Sequence, residues 1–158
     1  MKVQDFVHQI KGRLIVSCQA LPETPLDNPE ILAAMAKSVE LGGASGLRAQ
    51  GARNISAIRE VSKLPIIGLY KTLNRDETFI TPHFENAKEI AAAGADIIAL
   101  QATNPRLGDC DDLPTLTSKI HTQLGLGVIA DISTLVEAEE AVQAGADLVA
   151  TTLSGYTP

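Results

Sequence analysis

Tryptophan is absent from this 158-residue chain, and three Phe and two Tyr make up its 3% aromatic content. Few rings are left for bases to stack on, and a net charge of -6 offers polyanions no general attraction, so nucleic-acid and anionic-membrane binding are disfavoured. The two cysteines, Cys18 and Cys110, stand in unrelated contexts without CxxC spacing and read as reduced thiols, neither a disulfide nor a zinc site. No apolar run approaches membrane-spanning length, and Met1-Lys2-Val3-Gln4-Asp5 lacks the apolar stretch of a secretory signal. The expected compartment is the cytoplasm. With 45% hydrophobic and 20% charged residues, the chain reads as one domain over residues 1–158.

What the chain does have is repetition. Gly43-Ala44-Ser45-Gly46-Leu47-Arg48-Ala49, Gly94-Ala95-Asp96-Ile97-Ile98-Ala99-Leu100 and Gly145-Ala146-Asp147-Leu148-Val149-Ala150-Thr151 begin on glycines 51 residues apart. Each follows an alanine-rich helical stretch and leads into a short apolar run, so the glycine ends a helix and the next residues enter a buried strand. Similar runs between the blocks make the interval two βα units, which predicts an α/β fold of the TIM (β/α)8 barrel type. Six strands are expected: Leu14–Gln19, Gly46–Ala49, Ile66–Tyr70, Ile97–Leu100, Gly127–Ala130 and the run after Gly145. A closed barrel has eight. The sequence therefore predicts a barrel truncated after about six units, with open edges whose unpaired backbone groups favour self-association or a homodimer.

Helix signals fill the intervals. Asn28 and Pro29 start a helix whose apolar face is Ile31, Leu32, Met35, Val39 and Leu41; Ile55, Ile58 and Val61 recur at helical spacing; a third helix spans about Phe84 to Ala93. A fourth ends near Gly125, and Ser133 or Thr134 caps a fifth with Glu137 and Glu139 in its first turns. The polar stretch Thr72 to Pro82 is longer than an ordinary βα connection and is expected as a loop over the site.

Function in such a fold sits on the carboxyl ends of the strands. The polar residues there are Gln19, Arg48, Lys71, Gln101, Asp131 and the segment Thr151 to Thr157. A lysine desolvated among strand ends and flanked by a cation loses proton affinity, so Lys71 beside Arg48 is a candidate general base. Arg48 replaces an apolar residue of the repeated block, and a guanidinium inside a barrel needs an anionic or polar partner, either Asp131 or a substrate phosphate. Asp109-Cys110-Asp111-Asp112 reads as a solvated acidic loop, since consecutive carboxylates do not converge on a cation without a specific turn. His83 reads as a helix start, and His8 and His121 as surface or helical positions.

The ordered segments Leu14-Ile15-Val16-Ser17-Cys18-Gln19, Pro25-Leu26, Leu47-Arg48, Pro65-Ile66-Ile67-Gly68 with Lys71, Ile80-Thr81-Pro82, Ala93-Gly94-Ala95-Asp96-Ile97-Ile98-Ala99, Ala130-Asp131-Ile132-Ser133-Thr134 and Thr151-Thr152-Leu153-Ser154-Gly155-Tyr156-Thr157 resemble the N-acetylmannosamine-6-phosphate 2-epimerase family. The resemblance implies an isomerase, without metal or cofactor, that interconverts N-acetylmannosamine 6-phosphate and N-acetylglucosamine 6-phosphate in sialic acid breakdown. The open-chain sugar loses and regains the proton at carbon 2. The resemblance makes Lys71 the catalytic residue, with Gln19, Arg48, Asp131, Thr152, Ser154 and Tyr156 around an amino sugar phosphate. It also implies a glutamate after a seventh strand and phosphate-binding amides after strands seven and eight, which the family pattern carries beyond residue 158. Gln101 departs from that pattern, which has an aspartate there. A rival expectation is a non-catalytic barrel remnant that binds sugar phosphate weakly or serves in assembly.

Overall fold

Six short apolar segments pair side by side, all parallel: β1 (Ile15–Cys18), β2 (Gly46–Gln50), β3 (Ile66–Leu69), β6 (Ile97–Gln101), β7 (Gly127–Asp131) and β8 (Leu148–Ala150), in the order β1-β2-β3-β6-β7-β8. A computed structural model describes residues 1–21, 23–74, 77–104 and 110–156, with the backbone alone at 73, 74, 77 and 78. Helices α2 (Pro29–Leu41), α3 (Ala52–Val61), α4 (Phe84–Ala92), α5 (Leu113–Lys119, continued by a π-helical turn over Ile120–Leu124) and α6 (Leu135–Gln143) alternate with the strands. Two strands not expected from the sequence, β4 (Lys71–Asn74) and β5 (Glu77–Ile80), form an antiparallel hairpin where a loop was expected.

Side-chain parity separates two packed layers. Cys18, Leu47, Ala49, Ile66, Ile98, Leu100, Val128 and Ala130 face outward under the helices, whereas Ile67, Leu69, Ile97, Ala99 and Ile129 point to the concave side. The sheet curls strongly. Three strand spacings of about 4.8 Å separate β2 from β7, roughly 14 Å if flat, yet Arg48 on β2 hydrogen-bonds Asp131 on β7 at 2.5 Å. This curled parallel sheet wrapped by helices is the TIM-barrel type expected from the repeat.

The amino ends of the strands are sealed by a helix that the sequence reading did not assign, α1 (Val3–Ile10). Its signal was present: Val3, Phe6, Val7 and Ile10 fall on one helical face, and all four pack into the concave layer, Phe6 with no exposure. Gly127 makes room for the plug, since a Cβ there would lie 2.3 Å from Val3 Cγ2. Only the carboxyl ends of the strands are left for a site.

The repeated blocks have a physical explanation. Each glycine takes a positive φ of 95° to 106°, and the same bonds recur three times: Gly43, Gly94 and Gly145 N–H donate to Glu40, Ala91 and Val142, while Ala44, Ala95 and Ala146 donate to Val39, Ile90 and Ala141. The following residue then docks on the neighbouring strand, Ser45 N–H to Leu14, Asp96 to Ile66 and Asp147 to Val128. In the last two blocks the carboxylate returns the contact, accepting from Ile66 N–H at 3.0 Å and Val128 N–H at 2.8 Å. Arg59 pairs with Asp96 at 2.6 Å, and His121, in the helical turn after α5, hydrogen-bonds Asp147 at 2.8 Å.

Other expectations need correction. On α2 the buried face is Leu32, Ala33 and Ala36, so Ile31 at its edge and Leu41 on the opposite side of the helix are exposed; Val61, the last residue of α3, is also exposed. The caps agree with the reading: Asn28 accepts from Glu30 and Ile31, His83 starts α4, and Thr134 with Glu137 forms a capping box. Cys18 is buried and Cys110 half-buried. Among the described residues no helix is long and apolar enough to cross a membrane.

Gly68 has its own constraint, since a Cβ there would sit 2.5 Å from the Ala95 Cβ and 3.2 Å from Ile55 Cδ1. Ala95 cannot rotate away. Gly68→Ala is expected to lower unfolding stability by about 1–3 kcal/mol, the usual cost of overpacking, and Ala95→Gly should recover part of it. An unchanged denaturant midpoint for the single variant would refute the close approach.

Candidate active site

Strand parity carries one set of polar side chains to the open end of the concave face. Inward-facing Ile15 places Ser17 and Gln19 inward, Gly46 places Arg48 and Gln50 inward, and Ile129 places Asp131 inward. Among these, Asp131 is fully buried and the Arg48 side chain is 13% exposed. Asp131 Oδ2 accepts from Arg48 Nη2 at 2.5 Å, and Oδ1 accepts from Thr152 Oγ1 at 2.7 Å. The carboxylate is thus held on both oxygens, and the partner expected for Arg48 is the protein's own acid.

Lys71 stands beside this pair. Burial lowers its proton affinity, Arg48 lowers it further, and Asp131 partly opposes them. Among the described residues no carboxylate lies within salt-bridge distance of it. An amine with this environment keeps a larger neutral fraction than a surface lysine, which is what a general base requires.

The geometry that delivers Lys71 differs from a simple strand end. The chain breaks pairing at Tyr70 and Lys71 begins the β4–β5 hairpin, where it is paired with Ile80. Thr81 fastens the base of that hairpin. Fully buried, it donates N–H to Tyr70 O at 2.7 Å, accepts from Tyr70 N–H at 3.1 Å on Oγ1, and donates Oγ1 to Ala99 O on β6 at 2.7 Å. Its φ is +48°, a rare conformation for a β-branched residue that the three bonds hold in place. Sequence reasoning missed this role, although Ile80-Thr81-Pro82 was already conspicuous. Gln101 adds a second tie, accepting from Ile80 N–H at 3.3 Å and donating to Thr103 Oγ1 at 2.8 Å, a double duty that an amide can perform and an aspartate cannot.

The rim on the far side is equally fixed. Burial pushes the Glu137 carboxyl up, but N–H donors from Asn104, Ser133 and Thr134 outweigh it and hold the group below its ordinary range. This joins the segment after β6 to the start of α6. The acidic loop is likewise structural where it is described: Asp111 accepts from Phe84 N–H and Asp112 caps α5, while Asp109 lies outside the described residues. Of the expected site residues after β8, Thr152 reaches Asp131, whereas Ser154 and Tyr156 lie in exposed turns without a hydrogen bond to this group; Thr157 lies outside the described residues. Gln19 donates to Ser17 Oγ at 2.7 Å at the mouth of β1.

The arrangement can remove a proton from a carbon made acidic by an adjacent carbonyl, with an arginine close by for negative charge. A family model described as "Putative N-acetylmannosamine-6-phosphate epimerase" matches residues 32–158. A "Putative N-acetylmannosamine-6-phosphate 2-epimerase" of Thermosynechococcus vestitus is 51% identical over 150 residues, 94% of this chain and 65% of the relative. A "Bifunctional enzyme NanE/NanK" of Brucella melitensis biotype 1 is 42% identical over 159 residues, 98% of this chain and 30% of the relative. The solved structure of the N-acetylmannosamine-6-phosphate 2-epimerase from Clostridium perfringens superposes with a TM-score of 0.92 at 42% identity, over 100% of this chain and 69% of that one. The chain therefore spans just under two thirds of the Thermosynechococcus relative.

Removing Arg48 strands Asp131 without its cation in a fully buried position. Arg48→Met is expected to cost about 3–5 kcal/mol, the usual penalty for breaking a buried pair, whereas the double variant Arg48→Met with Asp131→Leu should recover most of it. Equal midpoints for the single variant and the unaltered chain would show that the pair contributes nothing to folding.

Proposed function

The chain belongs to the N-acetylmannosamine-6-phosphate epimerase family, and on that premise we propose that it interconverts N-acetylmannosamine 6-phosphate and N-acetylglucosamine 6-phosphate through Lys71. The observation that carries the reading is a lysine of lowered proton affinity beside a fixed Arg48–Asp131 pair at the open end of the curled sheet. The relatives' names supply the substrate, and the geometry supports the step.

In the open-chain sugar the aldehyde at carbon 1 acidifies the proton on carbon 2. Neutral Lys71 takes that proton, the carbon–hydrogen pair becomes the enolate π bond, and negative charge moves to the carbonyl oxygen. The Arg48 guanidinium beside it favours that charge. The enolate then turns its other face to the Lys71 ammonium, which returns a proton to carbon 2 with inverted configuration and regenerates the neutral amine. Asp131, held by Arg48 and Thr152, keeps the guanidinium oriented. Gln19 and Thr152 complete the polar wall on either side. Ser154 and Tyr156 contribute to substrate contact only if the turns after β8 fold inward over the ligand. The reading sets the reaction in the cytoplasm.

Exchange of the carbon 2 proton in deuterated water, followed by NMR, tests the step directly. Lys71→Ala should abolish exchange with a melting temperature close to that of the unaltered protein; exchange at the normal rate would remove Lys71 from the mechanism. If the unaltered protein exchanges neither sugar phosphate, the epimerase reading itself falls, and stabilisation by ligand without exchange would favour the weak-binding alternative.

The same assay has a pH signature. Since burial and Arg48 both lower the Lys71 value, the acid limb of the exchange rate should lie below 10.5. Asp131→Asn removes the one opposing influence and should move the limb to lower pH, while Arg48→Met should move it to higher pH. Limbs that fail to separate in these directions would show that a different group carries the proton.

A further inference from the structure

Among the described residues, three buried side-chain polar atoms have no hydrogen-bond partner, and two of them, Gln19 Oε1 and Gln50 Oε1, share one place in the fold. Gln50 closes β2 on the same face as Arg48, because its neighbours Leu47 and Ala49 face outward. Its register partner on β3 is Leu69, two residues before Lys71. The register of β1 on β2 pairs Cys18 with Ala49, so the next residues, Gln19 and Gln50, stand side by side at the mouth of adjacent strands. Gln19 spends its amide N–H on Ser17, which leaves its oxygen as the free end of a fixed carboxamide. An acceptor held out of water without a partner is unfavourable, so two neighbouring ones point to a donor supplied from outside the protein.

Resting on the epimerase reading above, we propose that Gln50 is a specificity-determining residue whose carboxamide oxygen, next to that of Gln19, accepts a hydrogen bond from a hydroxyl on the carbon chain of the bound sugar phosphate. The chemistry fits the ligand class. Each unpaired oxygen is an acceptor and takes a donor; a polyhydroxy chain presents several donors in a row at the spacing of adjacent carbons. The nearby cation, Arg48, is already engaged by Asp131 and does not satisfy the oxygen of Gln50. A site built to pair with a hydroxyl discriminates strongly against the analogue that lacks it, since binding the analogue leaves the protein atom unpaired.

The test is carbon 2 exchange kinetics with N-acetylmannosamine 6-phosphate and its 3-, 4- and 5-deoxy analogues. For the unaltered protein, one analogue should show a KM raised at least tenfold. Gln50→Leu should raise KM for the parent by roughly the same factor, with kcat changed less than about threefold, and should no longer distinguish the parent from that analogue. Gln50→Glu, which keeps an acceptor, should retain the discrimination. A merely structural role predicts a uniform rise for every substrate, which would overturn the proposal, as would an unchanged KM for the parent. Should Gln50→Leu fail to fold, the deoxy series on the unaltered protein and Gln50→Glu still decide: equal KM values across the series refute it. No exchange of the parent by the unaltered protein is a different result, which removes the epimerase reading and this inference with it.

Discussion

The ion pair between Arg48 and Asp131 is the constraint on which the site depends. It spans the concave face from β2 to β7, so it exists only if the sheet is curled. Its burial would be costly if either charge lacked a partner, and Thr152 occupies the second carboxylate oxygen so that the acid is satisfied on both sides. The pair also sets the charge that Lys71 experiences. A guanidinium near the amine opposes its protonation, and the carboxylate behind the guanidinium moderates that effect without competing for the amine by direct contact. One interaction thus links the curvature of the sheet to the proton affinity of a side chain on a neighbouring element.

Stability and chemistry are divided between the two ends of the strands. At the amino ends, α1 fills the concave face with Phe6 and its neighbours, and the repeated glycine turns seat each following strand against the one before. Asp96 and Asp147 reinforce that seating by accepting a strand N–H while Arg59 and His121 occupy the same carboxylate oxygens. These acids resemble candidate catalytic groups in composition alone, yet their oxygens are consumed by the fold. At the carboxyl ends, by contrast, the oxygens of Gln19 and Gln50 are unpaired, and Lys71 lacks a carboxylate at ion-pair distance among the described residues. Unspent hydrogen-bonding capacity is what separates the two sets.

Much of this was legible in the residues before the structure. Glycines at a fixed interval after alanine-rich helices reveal βα units because only glycine tolerates the φ those turns require. An arginine where the other two blocks carry Ala99 and Ala150 announces a polar position in an otherwise apolar layer, and its partner, Asp131, was one of two candidates. The hairpin was not legible as a hairpin, since its strands are four residues each and their few apolar residues, Leu73 in β4 and the adjacent Phe79 and Ile80 in β5, show no alternation to distinguish them from a long loop. The plug α1 was legible and overlooked, its four apolar residues being spaced for a helix at a terminus that held no strand signal. Gln50 escaped notice for a different reason: a glutamine at a strand end is ordinary, and only burial of an unpaired oxygen distinguishes it.

The hairpin explains how a flexible side chain becomes a positioned base. A lysine at the end of an isolated parallel strand would have a free backbone and would turn toward water, recovering its ordinary proton affinity. Here the backbone of Lys71 is paired with Ile80, and the residue before it is bonded through both N–H and C=O to Thr81. Thr81 in turn is fixed to β6 through Ala99, and its strained φ is maintained because releasing it would break three bonds at once. Gln101 holds the adjacent peptide of Ile80. The four-carbon stem of Lys71 therefore starts from a fixed point above the apolar inner layer, and the desolvation that lowers its proton affinity follows from where that backbone is anchored. In this fold, chemical tuning of the amine is a consequence of strand pairing two residues away.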